Sequence, residues 1–494
     1  MMKRILILVL MSMGVVSTNV VAQSCSDLSE ELDGTVVFKL QSGSDPVDVI
    51  SAMILVNPQV SYELIDQIPN RDIYLVEYTP PGDWTPGSWH DFEHEFKHWD
   101  GPGGIVHWIE FAAMNEAPEG GTGSTFVDSP AFTNLLFKTQ YVVTKLGLTL
   151  AHTFSQGEGT VVAVIDTGAD LSHPVLSKSL LNGIDFVDND AFPMDVGNGI
   201  DDDNDGLIDE MVGHGTYVAG LVNLVAPGAK ILPVRVLDSE GRGDVWTLTK
   251  GIYFAIDQGV EVINLSLGST EDSDIIEEAL DEARQYGIAV VAAAGNCSQS
   301  HPRIFPAMKV DWVIGVAAVD NSDIAAPFTN FNHHLTISAP ATTALNPKGL
   351  PIEELSIFSA IPGGGYAAWE GTSMATPLVS GVAALIRSQH PEWACNSSTI
   401  DEVVDIITDG AAPIDYLNPD LAGNLGAGRI DAQASVELGP VAPVLGDLNA
   451  DGLVNLQDLL DLIADWDSTH SSADLNSDGN VGLHDILVII ANWS

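Results

Sequence analysis

The chain has 494 residues, more than one domain usually holds, so we expect two to four domains. Apolar residues make up 45% of the chain, which excludes wholesale disorder. Its 18 basic and 68 acidic residues give a net charge of −50, so we expect no nucleic-acid partner. Asp outnumbers Glu by 45 to 23; short carboxylates in loops are typical of calcium sites, and an acidic surface that maintains solubility is the alternative.

Residues 1–22 predict a secretory signal peptide. A basic start precedes an apolar run over residues 5–16, and the small residue Ala22 suits a cleavage site. No later apolar run reaches the roughly 18 residues needed to cross a bilayer, so we expect a secreted, extracellular protein without a membrane span. Three cysteines are too few for a disulfide scaffold, and we expect Cys297 and Cys395 to be free rather than paired with each other.

The residue composition and pattern before residue 131 differ from those in the centre of the chain. Strands are expected at Thr35–Leu40 and Asp72–Thr79, where β-branched and aromatic residues are frequent. Small residues dominate residues 117–130, which we interpret as a linker. We therefore treat residues 23–130 as a separate α+β domain.

Between about residues 132 and 438, apolar strand-like runs alternate with helix-like segments. Continuous apolar strands separated by helices are buried on both faces, so they predict an α/β domain with a mostly parallel sheet and helices on both faces. The expected domain spans residues 131–438. Its predicted strands are Val161–Ile165, Ile231–Val236, Val262–Leu267, Ala289–Ala294 and Val313–Ala318.

A third domain is expected at the C-terminus. Residues 439–445 contain two prolines, which is typical of a linker. Residues 446–494 contain nine Asp but no Lys or Arg, a sharp change in composition that indicates a small independent domain.

Three polar residues lie where an α/β domain would place an active site. Asp166 follows the strand at 161–165, and open α/β sheets carry their sites beyond the carboxyl ends of strands. His214 stands between two glycines before an apolar helix-like run, and Ser373 stands at the start of another. A serine nucleophile needs a base, and the base needs a carboxylate to orient it. Taken singly, each residue has an alternative interpretation, as a strand-end turn or as a helix cap.

The motifs around these residues resemble those of the subtilisin-like serine peptidases. The three motifs are Asp166–Gly168, His214–Thr216 and Gly371–Pro377, and they occur in the family order Asp, His, Ser. The resemblance covers roughly residues 132–438 and implies a secreted endopeptidase that acts on polypeptides.

The resemblance also implies a role for each residue of the site. Ser373 attacks the scissile carbonyl, His214 takes its proton and later passes it to the leaving amine, and Asp166 orients His214. Asn296, in the motif Ala292–Asn296, corresponds to the family's side-chain donor to the oxyanion.

The substrate groove is implied by the same resemblance. Residues 266–268 match the segment whose backbone pairs with an extended substrate, which favours broad specificity. Residues 305–307 match an aromatic-Pro-Ala turn at the base of the first pocket, where the preceding residue is usually Gly in bacterial subtilisins. Ile304 stands there instead, so we expect a shortened pocket that prefers small or medium apolar P1 residues. The expected substrate-binding residues are Ser266, Leu267, Gly268, Ala294, Gly295 and Ile304.

Residues 23–130 resemble the family's inhibitory propeptides, which chaperone folding and are then removed. This region also contains a competing motif, because His94, Glu95 and His98 fit the H-E-x-x-H pattern of zinc peptidases. The surrounding stretch is short and polar and is succeeded by Gly and Pro, so we favour a chance match.

An acidic segment ahead of His214 is a candidate calcium loop. Asp201, Asp203, Asp205 and Asp209 place oxygens at loop positions 1, 3, 5 and 9 around a turn glycine. Position 12 is Val212, so an ordinary EF-hand closure is absent and Glu210 is its candidate substitute. A solvated acidic loop is the alternative.

The C-terminal domain contains two clearer calcium loops, 27 residues apart, each running into an apolar helix. This duplicated unit resembles the dockerin modules, which implies Ca²⁺ binding and a cohesin-like partner. Leu456-Gln457 and Leu483-His484 stand where many cellulosomal dockerins carry a small hydroxyl pair, so the partner is expected to differ. The expected ligands are Asp447, Asn449, Asp451, Asn455 and Asp458 in the first loop and Asp474, Asn476, Asp478 and Asp485 in the second.

A second function class is a non-enzymatic, calcium-dependent binding protein built on an inactive peptidase fold. The complete set of Asp166, His214, Ser373 and Asn296 favours the enzyme.

Overall fold

The computed structural model describes residues 31–81, 96, 99–119, 125–129, 131–203, 205–301, 304–308, 312–438, 448, 454, 456–466, 468, 473, 475 and 480–491. The predicted signal peptide, the linker at 439–445 and the three motif residues His94, Glu95 and His98 lie outside these ranges.

Antiparallel strands and a helix form the N-terminal region, with sheet order β2-β3-β1-β4. The helix begins at a proline, which suits its first position, and Asp45 caps it by accepting a hydrogen bond from Val47 N at 2.9 Å. The sequence predicted β1 and β3 but missed β2, β4 and the helix. The elements are β1 (Glu31–Leu40), α1 (Pro46–Val56), β2 (Ser61–Ile68), β3 (Ile73–Thr79) and β4 (Val106–Glu116).

The central region contains the large sheet and most of the helices. Its strands are β5 (Phe126–Asp128), β6 (Val161–Asp166), β7 (Ile184–Asp185), β8 (Lys230–Arg235), β9 (Arg242–Asp244), β10 (Val262–Leu265), β11 (Ala289–Ala293), β12 (Ile314–Val319), β13 (Ile337–Pro340), β14 (Thr343–Leu345), β15 (Pro351–Ser356), β16 (Phe358–Ile361) and β17 (Gly365–Trp369). Its helices are α2 (Asn134–Thr139), α3 (Tyr141–Lys145), α4 (Leu148–Phe154), α5 (His214–Val225), α6 (Val245–Asp257), α7 (Asp274–Gln285), α8 (Thr372–Gln389), α9 (Ser397–Asp409) and α10 (Ala432–Leu438).

The large sheet is parallel, with strand order β13-β12-β11-β10-β6-β8-β7. Its inner strands are buried along their length, which explains why the sequence shows them as continuous apolar runs. Helices α5 and α8 contact each other and the sheet, and so do α6 and α7. The predicted parallel α/β architecture with packed helices is confirmed, and the observed strands differ from the predicted ones by at most two residues.

The order of the strands creates a crevice at their carboxyl ends. Strand β6 lies between β10 and β8, with Ile165 opposite Leu265 in the β6–β10 register. Asp166, the last residue of β6, therefore lies beside Ser266, which follows the end of β10. This is the kind of switch point at which open α/β sheets bind ligands.

One short strand pairing joins the N-terminal and central regions, and a second one anchors the chain where it enters the central region. Strand β4 pairs antiparallel with β9, so the N-terminal sheet extends into the central region. Strand β5 pairs antiparallel with β17. The expected linker over residues 117–130 is therefore wrong at its C-terminal end, because backbone pairing to β17 orders residues 126–128 there.

The described part of the C-terminal region consists of helices α11 (Leu456–Ala464) and α12 (Leu483–Ala491) with a small apolar core. That core is formed by Val454, Leu462, Ala473, Val481 and Ile489.

The described residues test two expectations, that the cysteines are free and that the chain has no membrane-spanning helix. Cys297 is disulfide-bonded and Cys395 is exposed and unpaired, so the expectation that both are free is wrong for Cys297. Spacing along a chain does not reveal which sulfur atoms meet in space. Within the described ranges, every helix is too short or too polar to cross a bilayer.

Candidate active site

Asp166 and His214 are brought together by the end of β6 and the start of α5. Nδ1 of His214 lies 2.7 Å from Oδ1 of Asp166, and both side chains are fully buried. Gly215 lets the helix approach the strand end, because a Cβ there would lie 2.2 Å from the carbonyl oxygen of Gly168. The Trp369 ring packs perpendicular to the imidazole, with ring centroids 5.5 Å apart. The imidazole is therefore held in one orientation.

A second buried carboxylate, which no sequence motif indicated, holds the first turn of α5. Asp195 accepts hydrogen bonds from Gly213 N at 2.9 Å, from Thr216 N at 3.0 Å and from Thr216 Oγ1 at 2.6 Å. Thr167 Oγ1 also donates to it at 3.1 Å. Burial raises the pKa of Asp195, although these hydrogen bonds oppose the rise. The side chain caps the helix that carries His214.

Ser373 is the second residue of α8, in the first turn, where backbone N–H groups have no partner within the helix. Its Oγ lies 3.1 Å from the carbonyl oxygen of Ser266, and Ser266 Oγ donates to the carbonyl oxygen of Ser373 at 2.9 Å. These contacts tie the start of α8 to the end of β10. Pro377 is the sixth residue of α8 and lies inside the helix, so it cannot donate to the carbonyl oxygen of Ser373, which accepts from Ser266 Oγ instead.

Asn296 is fixed against the same helix start. Its Oδ1 accepts from Thr372 N and from Thr372 Oγ1, both at 2.9 Å. Thr372 Oγ1 also accepts from Gly295 N at 3.0 Å. With its oxygen engaged in this way, Asn296 turns its Nδ2 group to the other side, where it donates to Oε1 of Glu119 at 2.8 Å.

A carboxylate that the sequence did not reveal occupies the centre of this arrangement. Glu119, three residues after the end of β4, is 3% exposed. Its Oε2 accepts from Ser373 Oγ at 2.6 Å and lies 3.1 Å from Nε2 of His214. Its Oε1 accepts from Asn296 Nδ2 at 2.8 Å and from Ser373 N at 3.3 Å. A Cβ at Gly371 would lie 1.8 Å from Oε1, so only glycine leaves room for the carboxylate.

The expected linker over residues 117–130 is therefore also wrong at its N-terminal end. Ala117 and Glu119 are buried against the central region because their neighbours are hydrogen-bonded into its groove. In the sequence, Glu119 is a single acidic residue just before a run of Gly and small residues. This pattern is too common to identify a site residue.

His214 lies between two carboxylates. Burial disfavours the charged imidazolium and lowers the pKa, but the charge and hydrogen bond of Asp166, together with those of Glu119, outweigh it and raise the pKa of His214 to about 10. In this state the imidazole is protonated at neutral pH.

The groove beside Ser373 holds an extended segment of the same chain. Glu116 and Gly268 exchange both backbone hydrogen bonds, each at 3.1 Å. Ala117 N donates to the carbonyl oxygen of Gly241 at 2.9 Å, and the preceding residues pair with β9. Residues 114–117 therefore extend between β9 and Gly268 and end next to Ser373.

Ile304 lies in the wall next to this groove and is 3% exposed. A Cβ on Gly268 would lie 2.6 Å from its Cγ2, and a Cβ on Gly295 would lie 2.9 Å from its Cγ1. The branched side chain therefore fills the space between the two segments that contain Gly268 and Gly295. Leu267 and Ala294 are fully buried beside these glycines.

The acidic loop ahead of His214 forms two groups of carboxylates, with the oxygens of each group within 4.8 Å of one another. Burial, with a smaller contribution from the nearby Glu240, raises the pKa of Glu210. Oε2 of Glu210 and Oε2 of Glu240 are buried without a hydrogen-bond partner, which suits a hard cation. Glu240 was not predicted from the sequence. The groups are Asp201 with Asp203 and Asp205, and Asp203 with Glu210 and Glu240.

Asp209 belongs to neither of these groups. Its carboxylate oxygens accept hydrogen bonds from the backbone N–H groups of Asn198 and Gly199, each at 2.9 Å. The residue therefore closes the preceding turn rather than facing the other carboxylates.

Two of the predicted C-terminal ligands, Asp458 and Asp485, lie within the described residues, and both are fully buried. Asp458 accepts from Leu448 N and Asp485 from Gly482 N, each at 2.8 Å. They occupy equivalent positions in the first turns of α11 and α12. The other predicted ligands lie outside the described residues: Asp447, Asn449, Asp451, Asn455, Asp474, Asn476 and Asp478.

Comparison with known proteins identifies relatives of the central region. A profile described as the Subtilase family matches residues 157–428. Thermitase from Thermoactinomyces vulgaris is 36% identical over 269 residues, which cover 54% of this chain and 89% of thermitase. A thermophilic serine proteinase from Bacillus sp. (strain AK1) is 39% identical over 260 residues, which cover 51% of this chain and 57% of that protein.

Solved structures agree with this assignment. A protease from Pseudoalteromonas arctica matches with a TM-score of 0.51 at 29% identity, covering 60% of this chain and 94% of that one. Fervidolysin from Fervidobacterium pennivorans, described as a keratinolytic enzyme related to subtilisin, matches with a TM-score of 0.62 at 20% identity. The match covers 86% of this chain and 64% of fervidolysin, and it supports the fold alone.

Proposed function

Because the chain belongs to the subtilase family and is a subtilisin-like serine peptidase, we propose that it cleaves polypeptides through an acyl-enzyme on Ser373. The observation that carries the proposal is the convergence of Ser373, His214 and Asn296 on one carboxylate, with Asp166 behind the imidazole. In this mechanism His214, once neutral, takes the proton of Ser373, and Asp166 fixes its tautomer. Asn296 Nδ2 and Ser373 N donate to the oxyanion that forms.

The test of this function is inhibitor selectivity in the mature enzyme. We expect a fluorophosphonate to label Ser373 and abolish peptidase activity, since it reacts with an activated serine hydroxyl. Phenanthroline, which removes zinc, is expected to leave activity unchanged. The opposite pattern would favour the zinc-like motif at His94 and His98, and a protein that neither reacts nor cleaves would favour the inactive binding protein.

We propose that Ile304 limits the first specificity pocket, so that small or medium apolar P1 residues are preferred to Phe and Tyr. Ile304→Gly should shift the kcat/KM ratio toward Phe and Tyr substrates by about 10–200-fold, because each methylene in such a pocket contributes about 1–3 kcal/mol to discrimination. A series of peptides that differ only at P1 gives the measurement. A wild-type enzyme that already prefers Phe would contradict this role for Ile304.

We propose that residues 23 to about 130 act as a propeptide that docks on the catalytic region. Charged contacts support this arrangement. Arg71 lies 2.8 Å from both Asp257 and Glu282 and 4.1 Å from the centroid of the Tyr253 ring. Glu110 accepts from Ser273 Oγ at 2.8 Å and from Asp274 N at 2.6 Å, at the start of α7. The Glu110 contacts hold β4 in line with the groove, and the Arg71 contacts hold the turn between β2 and β3 against the central region.

We propose Ca²⁺ as the ion of the acidic loop. Carboxylate oxygens are its preferred ligands, and the unpartnered oxygens of Glu210 and Glu240 would gain a partner. Glu240 directly precedes Gly241, whose carbonyl oxygen pairs with the extended segment. A bound ion would therefore stabilise one side of the substrate groove.

We propose that residues 446–494 form a dockerin-like module that binds a cohesin-like partner. The equivalent buried positions of Asp458 and Asp485 support two calcium loops. Leu456 and Leu483 begin the two helices and are 60% and 65% exposed, which makes them available to a partner. Together with the predicted signal peptide, the module supports a secreted protein that is held at an extracellular location.

We expect the isolated peptide 446–494 to be largely unfolded in chelator and to gain helix when Ca²⁺ is added. Its apolar core is small and its Asp residues repel one another, so ion binding supplies the folding energy. Circular dichroism and calorimetry give the measurement. Asp447→Ala and Asp474→Ala should each lower the calcium stoichiometry by one, whereas Asp461→Asn, at a half-buried position of α11 where the side chain accepts from Gln457 Nε2, should not. A helical peptide indifferent to calcium would exclude the dockerin-like interpretation.

A further inference from the structure

The oxyanion position is filled by a side chain of the same molecule. The donors that would stabilise a reacting carbonyl, Asn296 Nδ2 and Ser373 N, both donate to Oε1 of Glu119. Ser373 Oγ and Nε2 of His214 lie within hydrogen-bonding distance of its Oε2. A side-chain carboxylate carries full negative charge and has no leaving group, so it satisfies these donors without offering a bond to cleave.

The backbone pairing that precedes Glu119 explains why its side chain lies at the oxyanion position. The strand pairing of residues 114–117 with the groove continues to Ala117 N. The next residue, Pro118, has no N–H and cannot donate a further backbone hydrogen bond to the groove. Glu119 is therefore the first residue after this pairing that can present a charged group to the nucleophile.

We infer that Glu119 is a built-in carboxylate inhibitor of the uncut chain, occupying the oxyanion site and the hydrogen-bonding atoms of Ser373 and His214. The inference rests on the proposed triad and goes beyond it. It attributes the inactivity of the uncut chain to one side chain rather than to docking of the whole N-terminal region.

The charge state of the imidazole adds a second inhibitory effect. The charged and titratable groups facing His214 are Asp166 from β6 and Glu119 from the segment after β4. Together they keep the imidazole protonated at neutral pH, with a pKa of about 10. A protonated imidazole cannot take the proton of Ser373, so Glu119 disables the base and the oxyanion site at once.

The test compares fluorophosphonate labelling of the full-length band for wild type and Glu119→Gln. Glutamine keeps the shape of the side chain but removes its charge. We expect Glu119→Gln to be labelled at least tenfold faster and to self-process correspondingly faster. In the uncleavable Ser373→Ala background, the ¹⁵N shifts of His214 should indicate an imidazolium at pH 8 with Glu119 and a neutral ring with Glu119→Gln.

The matched control is Glu110→Gln, which removes the charge of a half-buried carboxylate of β4 at the docking contact with α7. We expect it to accelerate labelling less than threefold. Equal acceleration by both variants, or none by Glu119→Gln, would overturn the inference. A mature wild-type enzyme that is not labelled at all would overturn the proposed triad, and the inference with it.

A peptide supplied in trans avoids any dependence on variant folding. Residues 114–119, made as an acetylated and amidated peptide, should inhibit the mature wild-type enzyme. The same peptide ending in Gln should inhibit at least tenfold more weakly. Equal inhibition by the two peptides would show that backbone pairing alone carries the effect, which would also overturn the inference.

Discussion

Ser373→Ala is expected to lower kcat by about six orders of magnitude, the size of loss found when a triad serine is removed from an enzyme of this class. The residual rate would come from the oxyanion donors and from substrate binding. The same variant should accumulate as a full-length precursor, because self-cleavage requires the same nucleophile. Peptide hydrolysis and the mass of the purified chain are the measurements.

A second serine of α8 provides the control for this substitution. Ser388 donates to the carbonyl oxygen of Glu158 at 2.7 Å, at the exposed end of the helix. Ser388→Ala should keep full activity and normal processing. Substantial hydrolysis by Ser373→Ala would show that another residue is the nucleophile.

Asp166→Asn should lower kcat by about four orders of magnitude while leaving the fold intact, because the amide no longer selects the productive tautomer of His214. The charge of Asp166 contributes to the raised pKa of His214. Its removal lowers that pKa, so the residual activity should extend to lower pH.

The measurement is kcat/KM against pH for both mature enzymes. The proposed processing would remove Glu119, and the wild-type profile should then rise through roughly pH 6–7, near the pKa of a free histidine. The midpoint for Asp166→Asn should lie below that of the wild type. A wild-type profile that is flat from pH 5 to 9 would contradict the role of His214 as base.

The sequence predicted those parts of the site that depend on local structure. Asp166 ends a continuous apolar strand, while His214 and Ser373 begin apolar helices, so each has a recognisable setting within a few residues. The parallel sheet was predictable for the same reason, since strands buried on both faces must be apolar throughout.

The residues that escaped prediction act through contacts between distant segments. Glu119 meets Ser373 across 254 residues of sequence, and Asp195 meets Thr216 across 21. Glu240 joins the acidic loop from the far side of α5 and β8. A single carboxylate in a loop has no periodicity or motif, so only the folded chain reveals which donors or charges it faces.

Removal of the N-terminal region, as proposed above, would give strand β9 a different role. It is paired to β4 in the uncut chain, and the departure of β4 leaves its backbone groups open along one edge. An exposed strand edge can pair with a strand of another molecule, and such pairing leads to aggregation. This edge is only three residues long and has Arg242 and Asp244 at its ends, so it is too short and too charged for a sheet to extend. A single extended peptide that also pairs with Gly268 can still occupy it. The mature groove would thus admit unfolded chains while discouraging self-association of the enzyme.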